Sequence, residues 1–280
     1  MTLPVLRTIE ELRARRRDLV DVAFVPTMGA LHRGHSSLIE QAATDHREVI
    51  LSVFVNPLQF GSATDLLHYP RRLEADARLA EEAGATYLFA PSEEAMFPSG
   101  PPMVTVDPGP LGALLEGSSR PGHMAGVATI VTRLFGLVQP QVAYFGEKDF
   151  EQLTLIRRLV VDLGLGIEIV GMPIVREADG LALSSRNLRL DAIERSQATV
   201  LSRALRVGAA AVAQGCNSLA ELEAVMAGVV AGESGVALDY ATAREESTFA
   251  LPSSFEAPLR LLIAATVGPV RLIDNVAVHR

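Results

Sequence analysis

Residues 22 to 43 constrain the fold more than any other stretch. Val22-Ala23-Phe24-Val25 is a short apolar run of the kind that forms a buried strand. Pro26 and Gly29 break it. Apolar residues at 38–39 and 42–43 then repeat at helical spacing, so a helix is expected from about Gly34. Strand, small-residue loop, helix is a texture that recurs. Residues 48–55, 86–90, 142–145 and 167–170 read as strands, and helices are expected up to about 83, over 127–138 and over 150–163. This alternation through residue 175 predicts a parallel sheet with helices on both faces. Loops leaving the strands then lie at their carboxyl ends, where open parallel sheets bind ligands.

Other segments depart from the alternation. Thr8-Ile9-Glu10-Glu11 matches a capping box opening a short helix through Arg17. The arginines at 13 and 15–17 read as a solvated helix face, with a phosphate patch as the rival reading. Residues 91–122 are rich in Pro, Gly and Ser and form loops with one expected strand at 103–106. Gly117-Ser118-Ser119-Arg120-Pro121-Gly122-His123 is a glycine-bounded basic stretch able to close over a ligand. After Val175 the pattern becomes two alanine-rich helices, 191–213 and 218–231, then strands at 238–241, 259–267 and 270–273. That is an α+β texture. The expected domains are 1–175 and 176–280, the second a small α+β lid.

Composition excludes several classes. At 280 residues, 49% hydrophobic and 21% charged, the chain is an ordinary globular one. No apolar run reaches the roughly 20 residues of a membrane span, and no secretion signal is visible at the start. A single cysteine, Cys216, makes no internal disulfide, which fits a reducing cytoplasm. A net charge of −8 argues against holding a nucleic-acid backbone. It permits a small anionic substrate in a locally positive cleft. Of 25 Lys plus Arg, only Lys148 is lysine. A genome bias explains the arginines and makes the remaining lysine worth attention, because a compact ammonium is not replaced by a planar guanidinium.

The loop after the first strand carries two imidazoles, His32 and His35. Three residues apart, both can face one side of the first helical turn. The helix start offers backbone N–H groups and the positive end of its dipole, and a phosphate is the natural guest. Two surface histidines on a loop are the plain alternative.

The context Thr27-Met28-Gly29-x-x-His32-x-Gly34-His35 resembles the His-x-Gly-His signature of the superfamily of nucleotidylyltransferases and class I aminoacyl-tRNA synthetases. Further strings narrow the resemblance: VPTMGALHRGH, SVFVNPLQFG, YPRRLEAD, EGSSRPGH, FGEKD, VREADGLALSSRN, and near the end LDY with RLIDN. In this order, and over nearly the whole chain, they resemble the pantoate–β-alanine ligases. The resemblance implies a Rossmann-like doubly wound parallel sheet with a smaller α+β C-terminal domain. It implies a two-step reaction, in which pantoate and ATP give pantoyl adenylate and pyrophosphate, and β-alanine then displaces AMP. ATP binding is implied for Met28, Gly29, Ala30, Leu31, His32, Arg33, Gly34 and His35, for Gly146, Glu147, Lys148 and Asp149, and for Val175, Leu183, Ser184, Ser185 and Arg186. His35, His32, Lys148 and Arg186 are the implied catalytic groups, His35 as proton donor. Gln59 and Gln152 are the implied pantoate ligands, Gln59 touching β-alanine as well. Mg²⁺ is implied as the companion of ATP, a homodimer as the assembly, and the cytoplasm as the location.

The chain departs from that pattern at Glu151, where glutamine is usual, and at Leu183, where methionine is frequent. It also departs at residues 62–65 and in His123-Met124-Ala125-Gly126. A nucleotidylyltransferase shares the His-x-Gly-His element but would lack Asn56-Pro57-Leu58-Gln59. A class I synthetase fits poorly with a short acidic chain. A non-catalytic ATP-binding protein would not need His35, Lys148 and Arg186 together.

Overall fold

Strand β2 (Val22–Thr27) has its first four residues buried, and β3 (Glu48–Val53) has four buried in a row. Such unbroken buried runs, apolar except for Ser52, arise when a sheet is covered on both faces. The computed structural model, which describes residues 3–279, places these strands at the centre of a six-stranded parallel sheet. Its other strands are β1 (Val5–Leu6), β4 (Tyr87–Phe89), β5 (Val142–Gly146) and β6 (Glu168–Met172), in the order β1-β4-β3-β2-β5-β6. β1 escaped the sequence reading; at two residues it is too short for a periodic signal.

From β2 the chain passes outward to β3 on one side, and from β5 outward to β6 on the other. The order therefore reverses between β2 and β5. In an open parallel sheet the carboxyl ends at such a point form the ligand crevice. The loops leaving β2 and β5 carry the histidines and Gly146-Glu147.

A second sheet is antiparallel: β7 (Val236–Glu245), β8 (Leu259–Val267) and β9 (Val270–Val278), in that order. Helices Val200–Ala213 and Leu219–Ala231 supply Leu201, Leu205, Leu222 and Met226 to the core this sheet shares. The fold class is thus the doubly wound parallel sheet plus a small α+β unit.

Compactness divides the chain into two units. The first comprises residues up to Glu147 with Glu151–Pro173. The second comprises Lys148–Phe150 and everything from Ile174. A single cut at 175 has no place for Lys148–Phe150, because a linear reading cannot show three residues packing with a unit that follows later.

Several local expectations change. The helix expected over 191–213 is broken into Ala192–Gln197 and Val200–Ala213. Thr199 causes the interruption: its hydroxyl donates to the Ser196 carbonyl at 2.7 Å, a local bond that competes with the helix ladder. Residues 103–106 form no strand; Met103 and Val104 are exposed, and the Val106 amide donates to Thr129 Oγ1. Residues 62–65 open a short helix, Ala63–His68. Arg13, Arg15 and Arg17 are exposed, as a solvated face requires, but Arg16 is half-buried. It donates to the carbonyls of Val138, Leu19 and Gln139, capping the C-terminus of helix His123–Val138, where a cation suits the dipole.

Candidate active site

In the first unit, β2 ends at Thr27 and the helix Arg33–Asp45 begins six residues later. The intervening turn is left-handed at two successive residues, Gly29 (φ +83°) and Ala30 (φ +52°). Such a pair points neighbouring amides into one concavity, an anion nest. The anion it holds belongs to the protein. Asp76, buried on helix Leu73–Glu82, accepts from Ala30 N–H at 3.0 Å and from Leu31 N–H at 2.8 Å. A Cβ on residue 29 would lie 2.9 Å from Asp76 Oδ2 and 2.9 Å from Val53 Cγ1, so only glycine fits.

This narrows the expectation that the junction offers free amides. Gly29 N–H donates to Thr27 Oγ1, Gly34 N–H to His32 Nδ1 and His32 N–H to His35 Nδ1. The imidazoles themselves close the helix start as a capping box, with ring centroids 4.1 Å apart. A nitrogen that accepts a backbone N–H carries no proton. Both rings are therefore fixed with the proton on Nε2, the donor that a phosphate oxygen requires. At its far end the helix is held by Asp45, whose Oδ2 accepts from Tyr144 at 2.8 Å and from Gln41 at 2.8 Å. Those two bonds hold the Asp45 carboxyl below the usual range. Burial, reinforced by that carboxylate, pushes the Tyr144 hydroxyl up, so it stays protonated. Asp76 was invisible as a site residue in the sequence, although the string YPRRLEAD contains it.

β3 leads to the turn Pro57–Gln59. Asn56 caps it through Leu58 N–H, and its Nδ2 donates both to Gln59 Oε1 at 2.9 Å and to the Gly126 carbonyl at 3.1 Å. Gln59 is buried, with Nε2 near Met28 Sδ at 3.0 Å. Thus Gln59 is joined to the histidine loop through Met28. Its backbone carbonyl takes His123 Nδ1 at 2.9 Å and Arg120 Nη2 at 3.3 Å. The basic stretch at 117–123 therefore anchors this turn. Gly126 permits the approach: a Cβ there would lie 2.3 Å from the Leu58 carbonyl oxygen. Arg120, His123 and Gly126 are positioning residues that sequence reasoning did not assign.

Gln152, on helix Phe150–Asp162, is half-buried and makes no side-chain hydrogen bond among the described residues. Its neighbour Glu151 is buried, and its Oε2 accepts from Glu116 N–H at 2.8 Å. A glutamine carbonyl can accept the same bond.

In the second unit, Val175 and Leu183 face each other across a hairpin, Leu183 N–H donating to the Val175 carbonyl at 3.0 Å. Ser184 caps the short helix Ser185–Arg189 through Arg186 N–H, and Asn187 ties that turn to Glu177 and Ala182. The Arg186 side chain is exposed. Lys148 is half-buried and Asp149 exposed in the single turn Glu147–Asp149. The hairpin is locked by Arg176, which grips Asp274 with two bonds of 2.7 and 2.8 Å, and by Arg195, which bridges Glu177 and Asp179.

Residues 4–277 match the family model described as pantoate-beta-alanine ligase. The chain belongs to the pantoate–β-alanine ligase family. It is accordingly a ligase that condenses pantoate with β-alanine at the expense of ATP. A pantothenate synthetase of Nocardioides sp. is 51% identical over 97% of this chain and 84% of its own. One from Salinispora arenicola is 48% identical over 98% and 97%. The crystal structure of pantothenate synthetase from Thermus thermophilus superposes with a TM-score of 0.93 at 47% identity, covering 99% and 100% of the two chains. A Francisella tularensis pantoate-beta-alanine ligase, solved in complex with beta-gamma ATP and beta-alanine, gives 0.81 at 34% identity over 98% and 97%.

Proposed function

We propose that the ligase works through an acyl adenylate and that the residues singled out by the family motifs carry it. A pantoate carboxylate oxygen attacks the α-phosphorus of ATP; the bond from that phosphorus to the β-phosphate oxygen breaks, and pyrophosphate leaves. The β-alanine nitrogen then attacks the acyl carbon, the bond to AMP breaks, and the amine loses its proton. Both steps need donors aimed at oxygens on which charge grows.

The observation that carries this reading is the pair of imidazoles at the switch point, each bound at Nδ1 and so bearing its proton on Nε2. His32 and His35 each donate an Nε2–H hydrogen bond to the phosphates, and this is the donor role that the resemblance implies for His35. The family motifs assign ATP binding to Met28 to Leu31, Arg33, Gly34, Gly146 and Glu147 in the first unit and to Lys148, Asp149, Val175 and Leu183 to Ser185 in the second. Lys148 and Arg186 supply cationic charge to the phosphoryl oxygens. Gln59 and Gln152 receive pantoate, whose carboxylate and hydroxyls suit amides that both donate and accept. The Francisella complex supports ATP and β-alanine as ligands of the same fold.

Mg²⁺ accompanies the ATP. Among the described residues no cluster of three His, Cys, Asp or Glu is arranged to hold a metal. Asp149, exposed in the turn that bears Lys148, is a candidate donor, with ribose binding or capping of its helix as alternative roles, and the ion would be held chiefly by phosphate oxygens and water. It supplies neutralisation of phosphate charge. Among the described residues no helix is long and apolar enough to cross a membrane. A homodimer in the cytoplasm is the assembly and location we assign on the family resemblance, and sedimentation equilibrium checks the first.

The deciding experiment is exchange of labelled pyrophosphate into ATP. Exchange is expected with pantoate present and β-alanine absent, and AMP, not ADP, is released when β-alanine is added. Pantoate-independent exchange, or ADP release, overturns the adenylate route.

A further inference from the structure

We propose that Asn275 is a positioning residue for Lys148, holding the lysine's own peptide from strand β9, 127 residues away in the chain. This rests on the reading that Lys148 serves the reaction.

Asn275 is buried at 2% exposure, and all of its polar groups are engaged. Its Nδ2 donates to the Lys148 carbonyl at 2.9 Å. Its Oδ1 accepts from Arg260 Nη1 at 3.1 Å. Its backbone N–H donates to Asp274 Oδ1 at 2.7 Å, and its carbonyl accepts from Arg176 Nη2 at 3.1 Å. The amide orientation is dictated: an arginine only donates and a carbonyl only accepts, so Oδ1 must face Arg260 and Nδ2 must face Lys148.

The turn is gripped a second time two residues on. Phe150 is buried, with the Arg260 guanidinium 4.0 Å from its ring centroid and Phe249 at 6.3 Å. Arg260 is itself buried and finds its countercharge in Glu246 at 2.6 Å. The turn is thus held at the Lys148 carbonyl and again at the Phe150 ring. This explains why Lys148–Phe150 packs with the second unit although the residues before and after belong to the first. A lysine side chain has a flexible four-carbon stem, so only its root can be fixed by the fold. The peptide held by Asn275 is that root.

Asn275→Asp separates positioning from packing. It keeps the shape and the contact to Arg260, and it sets a carboxylate oxygen against the Lys148 carbonyl. The expected result is a fall in kcat of about 10- to 100-fold, the scale of an ångström misplacement, with the pantoate KM unchanged. A second readout uses Lys148 as the only lysine. Acetylation by N-hydroxysuccinimidyl acetate, followed by mass spectrometry, should be blocked by ATP in the parent and much less so in Asn275→Asp. If the aspartate variant does not fold by circular dichroism, Asn275→Ser, too short to reach the carbonyl, decides by the same two readouts. Parental kcat with parental ATP protection overturns the proposal, as does a kcat loss matched by an equal rise in pantoate KM. Lys148→Ala run in parallel separates the failures. If it keeps full kcat, the role of Lys148 falls. If it loses activity while Asn275→Asp does not, only the role of Asn275 falls.

Discussion

The histidine loop of the first unit and the lysine turn with its neighbouring hairpin in the second are held by different means. The histidine loop is fixed by backbone conformation. Two left-handed residues aim amides at one buried carboxylate, and two imidazoles cap the helix behind them. The second region is fixed by charged and polar side chains from other parts of the unit: Arg176 to Asp274, Arg260 to Glu246, and the Asn275 amide to the Lys148 carbonyl. A loop at the end of a parallel strand has only a few residues in which to turn, so its own φ and ψ must do the positioning. The hairpin and the lysine turn lie beside an antiparallel sheet whose buried polar residues can grip them from outside. The first kind of site is brittle to added atoms, and the second to lost charge.

The largest expected effect tests the brittle loop. Gly29→Val meets Asp76 and Val53 at 2.9 Å in a left-handed conformation that a β-branched residue strains to adopt. Such strain costs about 1–3 kcal/mol, and the displacement it forces on the imidazoles is expected to cost pantoate-dependent exchange roughly 100-fold or more. Asp76→Ala should approach this, since it strands two amides. Activity within a few-fold of the parent in both variants would show that the loop is not set by its nest.

Next comes the charged lock. Asp274→Ala leaves Arg176 without its bidentate partner and the Asn275 amide without its acceptor. Because Arg176 is partly exposed, the expected loss is about 2–3 kcal/mol, read from the urea midpoint. A loss below that of a surface pair would erase the contrast drawn between the two regions.

A smaller and more selective effect is expected at Gly126. A methyl there presses on Leu58 and Gln59 backbone atoms at 2.3 to 2.7 Å, so the turn bearing Gln59 must shift. Gly126→Ala should raise the pantoate KM about ten-fold while the ATP KM holds. Equal changes in both constants would mean that the turn is not specific to the acid substrate.

The smallest effect is a pH dependence in the second unit. The hydrogen bond from Arg195, aided by the Leu181 amide, holds the Asp179 carboxyl below its usual range. A lowered folded-state pKa stabilises above the unfolded value, near 4, and that stabilisation disappears as pH falls through the lowered one. The pair is largely solvated, so Arg195→Ala should lower the urea midpoint only slightly at pH 7, and the difference from the parent should shrink below about pH 4. A difference that grew on acidification would have the wrong sign.

The sequence determined the parallel sheet, because short apolar runs such as 22–25 alternate with helical-period segments through residue 175. It placed the histidines at a strand end, and its motif strings named the family. It also placed Lys148 as a residue of interest through its solitude. Tertiary structure alone decided what surrounds them. Asp76, Arg120, His123, Gly126 and Asn275 act across 45 to 127 residues of chain or through backbone approach, and neither leaves a periodic trace. The amides of Ala30 and Leu31 proved occupied for the same reason, by a carboxylate 46 and 45 residues away, whereas those of His32 and Gly34 are taken by the neighbouring imidazoles. The break at Thr199 turned on a hydroxyl bonding to its own backbone, an option that helical periodicity does not record. Local pattern fixes where a segment lies in the sheet; the partners that immobilise a site come from elsewhere in the chain.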